Sequence, residues 1–101
     1  MSAFIAMSRF AVANTMLEEV KEAFRQRPKL VDQAQGFIKM DVISPLEHPD
    51  EIWLITYWKD RDSYLKWHHS EEHKQSHKGI PKGLKLVPER TEISFFEHVT
   101  D

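Results

Sequence analysis

Cysteine is missing from the 101 residues of this chain, which excludes disulfide bracing, thiolate catalysis and any cysteine-ligated zinc or iron–sulfur centre. A metal would have only histidine and carboxylate side chains to hold it. Charge of one sign is missing too, since 14 lysines and arginines face 16 aspartates and glutamates for a formal net charge of −2. Without a broad cationic footprint the chain is not expected to bind nucleic acid. No apolar run approaches the roughly 18 residues of a membrane span, and no basic segment followed by a continuous apolar stretch opens the chain. Neither membrane insertion nor export is indicated, and a soluble cytoplasmic protein is the expectation.

What is present is globular in character, with 41% hydrophobic and 30% charged residues, and the length suits one domain over residues 1–101. "AFIAMSRFAV" (3–12) carries apolar residues at both alternating positions, with Phe4, Ala6, Phe10 and Val12 on one side and Ile5, Met7 and Ala11 on the other. It predicts a strand buried on two faces. Asn14 is placed to cap a helix whose Met16, Leu17, Val20 and Phe24 recur at helical spacing, with Glu18, Glu19, Lys21 and Glu22 pointing outward. Pro28 should end that helix near Arg27. "GFIKMDVISP" after Gly36 and "EIWLITYWKD" read as two strands of a hairpin. A second helical region is predicted from about Asp60 to Lys78, and "RTEISFFEHV" closes the chain as a strand.

The order β-α-β-β-α-β is that of an α+β, ferredoxin-like fold, in which two helices cover one face of an antiparallel sheet. The third strand places Ile52, Leu54 and Trp58 on one side and Trp53, Ile55 and Tyr57 on the other. Whichever side meets the helices, the opposite one still presents large apolar groups to water, and this predicts a homodimer packed sheet to sheet. The competing arrangement, a monomer whose "GIPKGLKLVP" loop folds over the sheet, asks ten residues to cover four strands.

Four of the six histidines fall within "WHHSEEHKQSH", Trp67 to His77. His69, His73 and His77 are spaced four apart, yet on one helix the outer two would lie about 12 Å apart along the axis, so at most two could share one ion. Lys74 follows His73 where a zinc peptidase would have its general-base glutamate. Ser70 before Glu71 and Glu72 reads as a fresh N-cap, which predicts two short helices here rather than one. His68, His69 and His73 are expected to be solvated. His77 is different, because Gly79 can terminate its helix while Lys78, Lys82 and Lys85 supply positive charge nearby.

The segment "TYWKDRDSYLKWHHSEEHKQSH", with "FIAMSRF" and the "GF" that opens the second strand, resembles the antibiotic biosynthesis monooxygenase superfamily, particularly its Isd-type haem-degrading members. The resemblance implies a dimeric α+β barrel of two ferredoxin-like protomers. It also implies a working set in which Trp67 presses on the haem macrocycle, His77 is the axial ligand of the haem iron, and Ser8 stands where the haem-degrading branch has asparagine. Ser8 is shorter and offers one hydroxyl in place of a carboxamide, so it reaches the same partner only through a bridging water. Lys78, Lys82 and Arg9 are candidates to pair with haem propionates.

Three readings follow from the resemblance. The first is a monooxygenase that binds haem as cofactor and substrate and degrades it with dioxygen and an external electron donor. The second is a cofactor-independent monooxygenase acting on a quinol or another aromatic small molecule, a reading that Ser8 favours. The third is a haem- or ligand-binding dimer without turnover.

Overall fold

The structure is a computed structural model that describes residues 3–27, 29–70, 73 and 83–101. Strand β1 (Phe4–Ala11) leads to helix α1 (Leu17–Arg25), a short 3-10 turn (Leu30–Gln33), strands β2 (Phe37–Ile43) and β3 (Glu51–Trp58), helix α2 (Arg61–His68), a second 3-10 turn (Pro88–Arg90) and strand β4 (Glu92–Glu97). The sheet order is β2-β3-β1-β4, antiparallel throughout. This is the ferredoxin-like α+β fold the sequence pattern predicts.

The two most apolar strands, β1 and β3, are central neighbours, and their register puts Phe4 opposite Trp58, Ala6 opposite Thr56, Ser8 opposite Leu54 and Phe10 opposite Ile52. Alternation sends all eight side chains to one side of the sheet. The helices cover that side and divide its core in two. Around Trp58, which is fully buried, gather Ala6, Val31 and Tyr64 with Phe4, Phe37, Met40, Leu65 and Trp67. Around Ile52 gather Val12 and Val20 with Phe10, Leu17, Phe24 and Leu84. The Trp58 ring meets Phe37 and Tyr64 edge-on at 5.4 and 5.8 Å, the favoured arrangement for aromatic quadrupoles. Its indole N–H donates to Thr56 Oγ1 at 2.8 Å, so burial leaves no donor unpaired.

No helix among the described residues is long and apolar enough to cross a membrane. The side of the sheet away from the helices carries Ile5, Met7, Trp53, Ile55 and Tyr57, all half-buried, and Phe96, which is exposed. One end of it bears a chain of polar contacts. Arg90 grips Asp50 with two hydrogen bonds at 2.8 and 3.1 Å and donates to Glu51 at 2.7 Å. Glu51 accepts from the Trp53 indole at 2.9 Å, and the Arg9 guanidinium lies 5.5 Å from the Trp53 ring centre while pairing with Glu92. Arginine hydrogen bonds hold the Asp50 and Glu51 carboxyls below their ordinary range.

Local readings of the sequence need correction in three places. Helix α1 begins at Leu17, and its N-cap is Met16 without a side-chain cap. Asn14 instead accepts from the Met16 N–H at 3.3 Å and donates to the Gly83 carbonyl at 2.9 Å, tying the helix entrance to a distant loop. The helix ends at Arg25 rather than Arg27, before a residue with positive φ, Lys29. Lys21 does not point away from the protein; its side chain is 29% exposed and lies along a groove described below.

Gly36 permits the close approach of α2 to the hairpin. Its φ is +82°, and a Cβ there would stand 2.2 Å from Ser63 Oγ and 2.5 Å from Ser63 Cβ. Gly36→Ala is expected to cost about 2–4 kcal/mol, from backbone strain at positive φ of ~1 kcal/mol and overpacking of ~1–3 kcal/mol. Urea unfolding checks this, and a double-mutant cycle with Ser63→Gly should return a favourable coupling; an unchanged midpoint for Gly36→Ala would refute the clash.

Candidate functional site

The site is built on the side of the sheet that the helices cover, at the seam between the two core clusters. Ser8 of β1 occupies that seam, opposite Leu54 on β3 and Ile93 on β4. A short polar side chain there interrupts the apolar filling, and Ser8 and Leu54 are only half-buried. Ile93 and Phe95, on the same side of β4, are 48% and 52% exposed, leaving an apolar strip that the described residues do not cover. Phe95 stacks with Phe4 at 5.6 Å and meets Tyr64 edge-on at 5.6 Å.

Trp67 comes to this side on the last turn of α2. Asp60 starts that helix, accepting from the Ser63 N–H at 2.8 Å and the Ser63 hydroxyl at 2.7 Å. Such an N-cap satisfies donors that a helix start leaves open. The Ser63 hydroxyl, then the Ser63 N–H, with smaller contributions from Lys59 and Lys66, hold the Asp60 carboxyl below its ordinary range. Inside the helix Tyr64 is buried, and burial pushes its phenol up, so it stays protonated near neutrality. Tyr64 thus anchors the turn that presents Trp67 against the Trp58 cluster.

After His68 the helix stops. The Ser70 hydroxyl donates to the Trp67 carbonyl at 2.6 Å, and its oxygen accepts from the N–H of His73, which is helical. Ser70 is therefore the fresh cap that the sequence predicts. His68 and His69 are exposed, while His73 is half-buried with its ring 5.6 Å from Trp67 and edge-on to it. His68 also stacks on Tyr64 at 5.6 Å. The expectation of solvated rings thus fits His68 and His69 in exposure, and His73 departs from it. Among the described residues, no group of three metal-ligating side chains is arranged to hold an ion.

Of the predicted site residues, Ser8 and Trp67 share the helix-covered side. Arg9 does not join them: as the strand neighbour of Ser8 it points to the opposite side, where Glu92 and Trp53 engage it. His77, Lys78 and Lys82 lie outside the described residues. Sequence reasoning missed a groove of about 360 Å³ between α1 and the hairpin, with Phe24, Val42, Ile43 and Ile52 as its apolar lining and Lys21, Arg25 and Ser44 as its polar groups. Its volume is within the range of small-molecule sites. The available signal was helical spacing, which sets Lys21 and Arg25 four apart beside Phe24.

The arrangement is thus a ferredoxin-like sheet with a polar seam, a tryptophan on the same side packed against the Trp58 cluster, and a cation-rimmed groove between α1 and the hairpin. The family described as antibiotic biosynthesis monooxygenase matches residues 3–79, and the chain belongs to it. A staphylobilin-producing heme oxygenase of Staphylococcus aureus strain Newman is 28% identical over 79 residues, covering 76% of this chain and 73% of that protein. Two solved structures share the fold. The heme-degrader MhuD from Mycobacterium tuberculosis, with two hemes bound in its active site, superposes with TM-score 0.78 at 17% identity, covering 97% of both chains. SnoaB from Streptomyces nogalater, a cofactor-independent oxygenase, superposes with TM-score 0.77 at 14% identity, covering 100% of this chain and 97% of that one.

Asp60→Ala should lower stability at pH 7 by loosening the start of α2, and Trp67 should become more solvent-exposed, read as a red shift in tryptophan emission. Because the Asp60 carboxyl is held low in the folded chain, its contribution is present above the ordinary carboxylate range and is lost as pH falls through the folded value. The difference between variant and parent should therefore narrow in acid, and a constant difference down to pH 2 would count against the cap.

Proposed function

We propose that this monooxygenase-family chain binds haem and degrades it with dioxygen and an external electron donor. The observation that supports it most is the placement of Trp67 over the side of the sheet that carries Ser8, at the helix end leading into the segment with His77. The described residues offer a flat, largely apolar ligand one surface: the uncovered strip of Ile93 and Phe95 on β4 can receive the macrocycle, while Lys21 and Arg25 rim a groove at the opposite, β2 edge of the sheet.

In this reading the His77 imidazole would hold the haem iron, and the haem would supply the redox chemistry toward dioxygen. Trp67 presses on the macrocycle and restricts the space around it. Lys78 and Lys82 are candidates to pair with the propionates. The Ser8 hydroxyl holds a bridging water over the seam. Apolar groups around that hydroxyl limit competing water and strengthen its hydrogen bonds.

A second reading, a cofactor-independent oxygenase of a quinol or another aromatic small molecule, is favoured by one observation. Ser8 offers only a hydroxyl at the seam, half-buried and without a hydrogen bond to any described residue, which suits a small phenolic substrate.

The working unit in either reading is a homodimer packed through the sheet side that the helices leave open. Its support is the apolar surface of Ile5, Met7, Trp53, Ile55 and Tyr57 on the two central strands.

Hemin titration of the apoprotein should give a saturable Soret band at one haem per chain that bleaches when reductant is added in air with catalase present. His77→Ala should lose the band, and Ser8→Asn should bleach faster than the parent. A stable band would leave a haem binder without turnover, and no specific band would reject haem and direct the search to quinols. Sedimentation equilibrium should return the mass of two chains.

A further inference from the structure

A second ligand-sized space lies away from the Ser8 seam. The groove between α1 and the hairpin, about 360 Å³ in volume, sits at the β2 edge of the sheet, and β1 stands between it and the strip of Ile93 and Phe95 on β4. Its apolar lining joins Ile52, which is buried, to Phe24 of α1 and to Val42 and Ile43 of β2. Val42 and Ile43 are 37% and 46% exposed, so the groove shows water an apolar surface that the chain's own core does not cover.

The charged groups of this groove have one sign. Lys21 and Arg25, one helical turn apart, both line it, and no carboxylate among the described residues does. The Ser44 hydroxyl donates its proton to the Glu51 carbonyl at 2.7 Å, which leaves it only an acceptor to offer. Both cations have partners on their own helix, Glu18 at 3.8 Å from Lys21 and Glu22 at 3.2 Å from Arg25 Nη1. Those carboxylates are exposed, and exposed pairs of this spacing contribute little. Glu22 also accepts from Gln26 Nε2 at 3.1 Å, so it keeps a partner when Arg25 turns to a ligand. A guanidinium carries five N–H donors, and one contact to Glu22 leaves it able to take a second carboxylate.

We infer that this groove binds a small amphipathic carboxylate, with its apolar body against Phe24, Val42 and Ile52 and its head between Lys21 and Arg25. Beside apolar walls a charge-assisted hydrogen bond is stronger than in open water. An inorganic anion would leave those walls wet, and a neutral alcohol would leave the two cations without a counter-charge. The site is separate from Ser8 and Trp67, and the inference stands apart from the haem reading.

Calorimetric titration of the full chain with sodium octanoate tests the inference, with octanol as the uncharged comparison. Octanoate should saturate at one per chain and bind at least about tenfold more tightly than octanol. Lys21→Met together with Arg25→Met keeps apolar stems while removing both charges. That double variant should weaken octanoate at least about tenfold and leave octanol unchanged, with circular dichroism and the urea midpoint confirming an intact fold. Nuclear Overhauser contacts should join the octanoate chain to the Val42 and Ile43 methyl groups. Octanol binding as tightly as octanoate, or octanoate binding that survives loss of both charges, overturns the inference. Contacts to Ile93 in place of Val42, or no saturable binding, overturn it as well.

Discussion

Two neighbouring strands that are apolar on both sides set the terms for everything else in this molecule. β1 and β3 lie at the centre of the sheet, and two short helices can cover only one of its sides. On that side the covering is local: α1 closes over the Ile52 cluster and α2 over the Trp58 cluster. On the other, Ile5, Met7, Ile55 and Tyr57 are left beside a chain of charged contacts from Asp50 to Glu92. Hydrophobic burial is the dominant favourable term in folding, and the same pattern that builds the core leaves apolar area on the open side of the sheet.

The candidate site follows from the incompleteness of the covered side. A continuous apolar core would leave no room for a ligand, and the seam at Ser8 and Leu54 prevents one from forming. Trp67 then depends on a sequence of small devices: the Asp60 cap, the buried Tyr64 and the Ser70 hydroxyl that ends the helix. Asp60 and Ser70 act by pairing polar groups that a helix end leaves open and Tyr64 by packing its ring on Phe4 and Trp58, and together they aim one large ring without a long helix.

Much of this was legible in the residues themselves. The two-sided alternation of β1 and β3 gave the sheet, its central strands and the open face, and "WHHSEEH" gave the break at Ser70 because a serine before two glutamates suits a helix start. Strand alternation also contained the answer for Arg9, since adjacent residues such as Ser8 and Arg9 cannot face one site. Asn14 was misread because its side chain has a partner in Gly83, sixty-nine positions away, which no local pattern encodes. Lys21 was misread for a related reason: a lysine stem can run along an apolar wall, and most of that wall, Val42, Ile43 and Ile52, comes from the hairpin.

The bulge in β2 between Phe37 and Lys39 bears on how such a chain stays soluble. β2 is a sheet edge, and an unbroken edge is a template on which other strands can grow. The bulge disrupts the ladder, and Lys39 and Asp41 place charge farther along it. At the opposite edge Glu92 and Glu97 bracket β4. Growth in the plane of the sheet is thereby discouraged at both margins, while contact through its surface remains open. A chain built this way keeps its apolar open face while denying other strands a margin on which to extend the sheet into a fibre.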